Sequence, residues 1–161
     1  RAAIREFRGV PGRTEVITEI KGRRFVNDTT ATMPDATLAA LRMFGSRKHP
    51  RLILIGGGED KGLAYTTLAR QLPRYVKRFI LFPGSASQKI VRELSRFHPA
   101  FLLRNTGEVR SMREAVAAAW KGSQRGDTIL LSPGAASFNM FKNEFDRGEQ
   151  FIEAVNDLKK N

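Results

Sequence analysis

The 161 residues predict a Rossmann-like α/β fold: a three-layer sandwich with a mainly parallel sheet and an N-terminal β-hairpin. Three observations predict it. Short apolar runs at Arg51–Ile55, Val76–Phe82 and Thr128–Leu131 read as buried strands, and strands covered on both faces belong to parallel sheets. Helical segments of about ten residues separate them, as crossover connections require. Finally, Glu15–Ile20 and Arg24–Asn27 are strand-like and flank Lys21-Gly22, so the first two strands pair as a hairpin.

The elements follow in order. Arg1–Phe7 reads as the tail of a helix, and Gly9-Val10-Pro11-Gly12 as a linker. With no initiator Met, the chain is expected to be a fragment of a longer protein, with its domain proper spanning residues 13–161. After the hairpin, Asp28–Thr32 is a polar loop. The helix that follows has Pro34 near its start and Gly45 past its end, the usual asymmetry of helix termini. Gly56–Gly62 is a turn, and Leu63–Leu72 a helix stopped by Pro73. Pro83-Gly84-Ser85 opens a helix through Leu94, and Ala100–Leu103 is expected to be a short strand. Ser111–Trp120 is a helix with Met112, Ala115, Val116 and Ala119 on one face. The strand at Thr128–Leu131 runs into Ser132-Pro133-Gly134 and an amphipathic segment ending at Arg147-Gly148. A last helix, near Glu149–Lys159, carries Phe151, Ile152, Val155 and Leu158 as a core stripe. There is no internal repeat and no low-complexity tract.

Composition narrows the function. With 41% hydrophobic and 27% charged residues the chain reads as an ordinary globular domain. No apolar run approaches the roughly 20 residues of a membrane helix, and the N-terminus lacks a secretory signal. Zero cysteines exclude disulfides, thiolate metal sites and cysteine nucleophiles, and fit a cytoplasmic setting. His49 and His98 each precede a proline in an expected loop and have no metal-ligand spacing. The net charge of +12 raises nucleic-acid binding, but the cations are scattered and no sustained basic helix or aromatic pair accompanies them. A solvated basic surface is the simpler reading.

Three loops carry candidate chemistry. Gly56-Gly57-Gly58-Glu59-Asp60-Lys61-Gly62 lets backbone approach an anion and supplies a lysine, but its spacing is not that of a P-loop. Asn27-Asp28-Thr29-Thr30-Ala31-Thr32 sets one carboxylate and three hydroxyls at a strand-to-helix junction. There Asp28 suits a magnesium ion or a ribose, and Thr32 a carboxylate or a helix cap. Asp127–Gly148 is a strand, a small-residue turn with Ser137, and an amphipathic segment. No Ser-His-Asp set or catalytic carboxylate pair is visible. The residues alone imply an α/β domain that binds an anionic ligand at the carboxyl ends of its strands.

Taken together, these loops resemble the C-terminal domain of the Mur ligases, and most of all its D-glutamate-adding, MurD-type branch. The resemblance spans essentially the whole chain. It rests on G-V-P-G-R-T-E-V from Gly9, N-D-T-T-A-T from Asn27, G-G-G-E-D-K from Gly56, and L-S-P-G-A-A-S-F-N-M-F-K-N-E-F-D-R-G from Leu131. The last of these is the most specific. It implies that residues 1–12 are the end of a central-domain helix plus linker, and that 13–161 bind the incoming amino acid. The implied reaction activates the UDP-MurNAc-L-Ala carboxylate as an acyl phosphate with ATP and Mg2+, and D-glutamate then attacks it. Carried over by motif, Thr32, Lys61, Ser137 and Phe138 would hold D-glutamate, and Arg13 and Asp28 would contact ATP. Catalytic groups and most metal ligands would lie in the central domain, so this chain alone would be inactive. A monomer in the bacterial cytoplasm is implied, working with its own N-terminal and central domains and with neither nucleic acid nor membrane. Two positions depart from the pattern. Thr30 replaces the family's lysine, which removes a charge expected near the amino-acid site, and Glu144 stands where an aromatic residue is common, with Phe145 one place later. The alternatives are a domain of another Mur or folylpolyglutamate-type ligase, or a basic nucleic-acid-binding module. The D-N-P-R motif of the diaminopimelate-adding branch is absent.

Overall fold

The computed structural model describes residues 10–160. The expected helix at Arg1–Phe7 and the start of the linker lie outside them. A six-stranded sheet, in the order β1-β2-β6-β3-β4-β5, comprises β1 (Glu15–Ile20), β2 (Arg23–Asn27), β3 (Leu52–Gly57), β4 (Val76–Phe82), β5 (Thr106–Glu108) and β6 (Thr128–Leu131). Only β1 and β2 are antiparallel; every other pair is parallel. The hairpin turn places Lys21 at φ 49° and Gly22 at φ 75°, both positive as the tight primed turn requires.

Alternation along β3 explains the three layers. Leu52 and Leu54 face one side with Leu41, Leu68, Phe79, Ile90 and Leu130, under α1 (Pro34–Phe44), α2 (Thr66–Gln71) and α3 (Ser85–Phe97). Ile53 and Ile55 face the other with Phe25, Ile129, Val116 and Phe151, under α5 (Met112–Gly122) and α6 (Glu144–Leu158). Both faces of the central strands are covered, which is why they read as unbroken apolar runs. The predicted fold is the observed one.

Three expectations are corrected. Ala100–Leu103 is not a strand but part of helix α4 (Pro99–Asn105), with Pro99 in the first turn and the strand beginning only at Thr106. The helix expected from Leu63 starts at Thr66, because Gly62 adopts φ 79° and the Asp60 carboxylate takes the Leu63 N–H at 2.9 Å. Pro73 sits inside a 3-10 turn, Leu72–Arg74, that extends it. The last helix begins at Glu144 rather than near Glu149, so Arg147-Gly148 lies within α6 instead of before it. Asn143 is its cap, its side-chain oxygen accepting the N–H groups of Phe145 and Asp146. Among the described residues no helix is long and apolar enough to cross a membrane.

Candidate functional site

Strand order decides where the polar loops meet. β6 lies between β2 and β3, and Asn27, Leu131 and Ile55 occupy one register row at the carboxyl ends. The three loops therefore leave the same sheet edge side by side. Backbone bonds join them: Asp28 N–H to the Leu131 carbonyl at 2.8 Å, Ser132 N–H to Ile55 at 3.1 Å, and Gly57 N–H to Pro133 at 2.8 Å. Glu59 and Ala136 exchange two further bonds, each 3.0 Å. That approach needs glycine. Gly58 has φ 133°, and a Cβ there would sit 2.3 Å from the Ala136 carbonyl oxygen.

A buried arginine fixes the edge from below. Arg147 on α6 donates to the Thr29 hydroxyl at 3.1 Å, the Thr29 carbonyl at 2.8 Å and the Ala135 carbonyl at 3.2 Å. Burial brings its pKa down to about 10, so it stays charged at neutral pH. Its hydrogen bonds tie the loop after β2 to the loop after β6.

Asp28 is the buried carboxylate of the edge, only 4% exposed. One carboxylate oxygen accepts from Thr14 N–H at 3.0 Å and the other from the Ser132 hydroxyl at 2.8 Å. Burial raises its pKa; the Ser132 bond, the Thr14 N–H and the charge of Arg13 pull the other way. A cleft of about 300 Å³ opens beside it, with Arg13, Asp28 and Thr30 on one side and Ala36, Ala40 and Met43 of α1 on the other. A cation, a carboxylate and an apolar wall suit a ligand with a charged part, hydroxyls and a flat apolar part.

The second group lies across β6. Exposed Lys61 has its Nζ 6.0 Å from the ring centre of Phe138, which is itself 68% exposed. Ser137 is buried next to the Glu59–Ala136 bridge, and its carbonyl accepts from Met140 and Phe141 N–H at 3.1 and 3.0 Å. Thr32 is half-buried and joins this loop indirectly, through the preceding Ala31 carbonyl, which takes Gly134 N–H at 2.8 Å. It does not cap α1; that position is Met33, with no side-chain cap.

So Lys61, Ser137 and Phe138 gather in one place, and Arg13 shares a separate cleft with Asp28. Thr30 lines that cleft, donating its hydroxyl to the Gly12 carbonyl at 3.0 Å. Glu144 opens α6, leaving Phe145 59% exposed beside Pro11 and Gly12. Sequence reasoning missed Ser132 and Thr37, whose hydroxyls sit 3.2 Å apart behind Asp28, and Ser85 and Lys89 of α3, which hold the 56–62 loop. Serine after a strand end was a signal for the first; nothing local marked the others. Among the described residues no three acidic or histidine side chains cluster as a metal site.

The family described as "Mur ligase, glutamate ligase domain" matches residues 12–135, ending before Ser137 and Phe138. The UDP-N-acetylmuramoylalanine–D-glutamate ligase of Roseiflexus sp. (strain RS-1) is 44% identical over 155 residues, 96% of this chain and 32% of that protein. The ligase of the same name from Caldanaerobacter subterraneus subsp. tengcongensis is 37% identical over 157 residues, 98% of this chain and 33% of that protein. The chain thus spans about a third of the length of these curated relatives. Among solved structures, E. coli FolC in complex with ADP superposes with a TM-score of 0.60 at 17% identity, over 94% of this chain and 33% of that one, a likeness of fold. The chain belongs to the Mur ligase family, as a glutamate ligase domain.

Proposed function

We propose that this chain is the C-terminal, amino-acid-binding domain of a UDP-N-acetylmuramoyl-L-alanine:D-glutamate ligase, residues 13–161 forming the domain and 1–12 the link to a central domain. The full enzyme adds D-glutamate to UDP-MurNAc-L-Ala in peptidoglycan synthesis, at the expense of ATP. The observation that carries this reading is the meeting of Lys61, Ser137 and Phe138 at a sheet edge, in a chain 44% identical to a ligase of that name.

In this reading Thr32, Lys61, Ser137 and Phe138 receive D-glutamate. Its two carboxylates want hydroxyls, backbone N–H groups and an ammonium, and charge-assisted bonds are the strong ones. Arg13 and Asp28 contact ATP in the neighbouring cleft, Asp28 at a ribose hydroxyl and Arg13 at negative charge. E. coli FolC, which shares this fold, forms a complex with ADP, and that supports a nucleotide in this reading. Mg2+ and the phosphate-activating groups belong to the remaining domains, so the isolated chain performs no ligation. Closure of this domain over the reactants would shield the acyl phosphate from water. The whole enzyme would act as a cytoplasmic monomer, without nucleic acid or membrane.

Calorimetry separates this from the other readings. Weak binding of D-glutamate and of Mg-ATP is expected, with no binding of duplex DNA at physiological salt. DNA binding that weakens steeply with salt, without response to either small molecule, would favour a nucleic-acid module instead. Preference for another amino acid would favour a different ligase of the superfamily. Ligase turnover by the chain alone would contradict the division of labour.

A further inference from the structure

Lys61 is preceded by Asp60 and Glu59, and carboxylates so close are natural partners for a lysine. Neither takes it. Among the described residues, no carboxylate stands within ion-pair distance of Lys61. Both acids turn to the first turns of α3. Glu59 accepts from the Ser85 hydroxyl and, at 3.5 Å, from Ser85 N–H. Asp60 accepts from Lys89 with one oxygen and from Leu63 N–H, at 2.9 Å, with the other. Its own N–H donates to Ser85 Oγ at 2.9 Å. The bond from Lys89 leads the causes that hold the Asp60 carboxyl below its ordinary range.

We propose that Lys89 is a positioning residue: by taking Asp60, it keeps the carboxylate adjacent to Lys61 from folding back onto that lysine. The ammonium of Lys61 then stays available for a carboxylate of the ligand. This rests on the reading of Lys61 as a residue that receives D-glutamate. Without Lys89, Asp60 would compete for the Lys61 ammonium and repel the incoming carboxylate. Lys89 touches no ligand itself. It acts through Asp60.

Two readouts on Lys89→Met, Asp60→Asn and the double variant test this. The first is D-glutamate affinity. Lys89→Met is expected to weaken it by about fivefold, the size of one exposed charge–charge interaction. Asp60→Asn, which keeps an oxygen for Leu63 N–H, stays near the native value, and Asp60→Asn/Lys89→Met returns to it. If the ion pair merely fastened the loop, Asp60→Asn would lose as much as Lys89→Met and the double variant would not recover, which overturns the proposal. The second readout needs no ligand: the pH titration of the Asp60 carboxyl carbon by NMR. Lys61→Met should leave its midpoint in place in the native background and raise it in the Lys89→Met background. A midpoint indifferent to Lys61 in both backgrounds overturns the proposal even if D-glutamate binds. The expected titrations with no D-glutamate binding in any variant would support the Asp60–Lys61 competition and sink the ligand assignment instead.

Discussion

The hydroxyl of Ser132 donates to the carboxylate of Asp28 at 2.8 Å, joining residues 104 positions apart. β2 and β6 are neighbours in the sheet, so the loop after one meets the loop after the other. Burial is the main influence on Asp28, and it keeps the proton on to higher pH than in the unfolded chain. Between the ordinary value of 3.8 and the raised one, the folded state binds more protons. Stability therefore falls as pH rises through that window, and above it the ionised carboxylate is a constant cost.

Asp28→Asn should remove that fall. The amide oxygen still accepts from Thr14 N–H, and the Ser132 hydroxyl can turn to accept from the amide nitrogen. The melting temperature at pH 7 should be unchanged or raised by up to about 3 °C, the scale of a 1 kcal/mol gain. ATP affinity should drop in the same variant. Thermal melts from pH 3 to 7, with calorimetry at pH 7, check both; a stability loss at neutral pH would contradict the electrostatic account.

Arg147→Met should unfold the edge from below. It strips donors from the buried Thr29 and Ala135 carbonyls and the Thr29 hydroxyl. Acceptors left unpaired in a buried setting make the cost about 3 kcal/mol, or roughly 6–12 °C in melting temperature. Differential scanning calorimetry measures it.

Gly148→Ala sets two effects against each other. Alanine favours a helix interior over glycine by about 1 kcal/mol. Its Cβ, however, would lie 2.8 Å from the Thr29 methyl and 3.1 Å from the Asn27 amide nitrogen. Thr29 cannot easily give way, because its hydroxyl donates to the Glu144 carbonyl at 2.6 Å and receives Arg147. The clash should win, with a net loss of about 1–2 kcal/mol. Chemical denaturation reads it, and a stabilised variant would show that the packing of α6 on the loop is loose.

The sheet was legible because burial on both faces writes a continuous apolar run, as in Phe-Ile-Leu-Phe of β4 and Ile-Leu-Leu of β6. Phe101-Leu102-Leu103 looked alike over a few residues, yet forms a helix with no buried residue. Periodicity cannot separate the two at that length. Arg147-Gly148 looked like the end of an element because a charged residue followed by glycine is a common helix stop. Its reason is tertiary, a buried guanidinium and a close approach to Thr29. Which loops were polar was also plain from glycines and hydroxyls. Which residues share a cleft was not: Arg13 lines the same cleft as Asp28, whose carboxylate accepts from the neighbouring Thr14 N–H, and Thr30 lines this cleft too. The Thr30 departure from the family's lysine thus falls on the cleft assigned to ATP.

The most direct test is an NMR titration of the chain with D-glutamate and, separately, L-glutamate, following the backbone amides of Thr32, Lys61, Ser137 and Phe138. D-glutamate should shift these four, with L-glutamate weaker and the response lost in Lys61→Ala, while Mg-ATP shifts Arg13 and Asp28. Equal shifts from both enantiomers, or a D-glutamate response confined to residues away from this edge, would contradict the assignment.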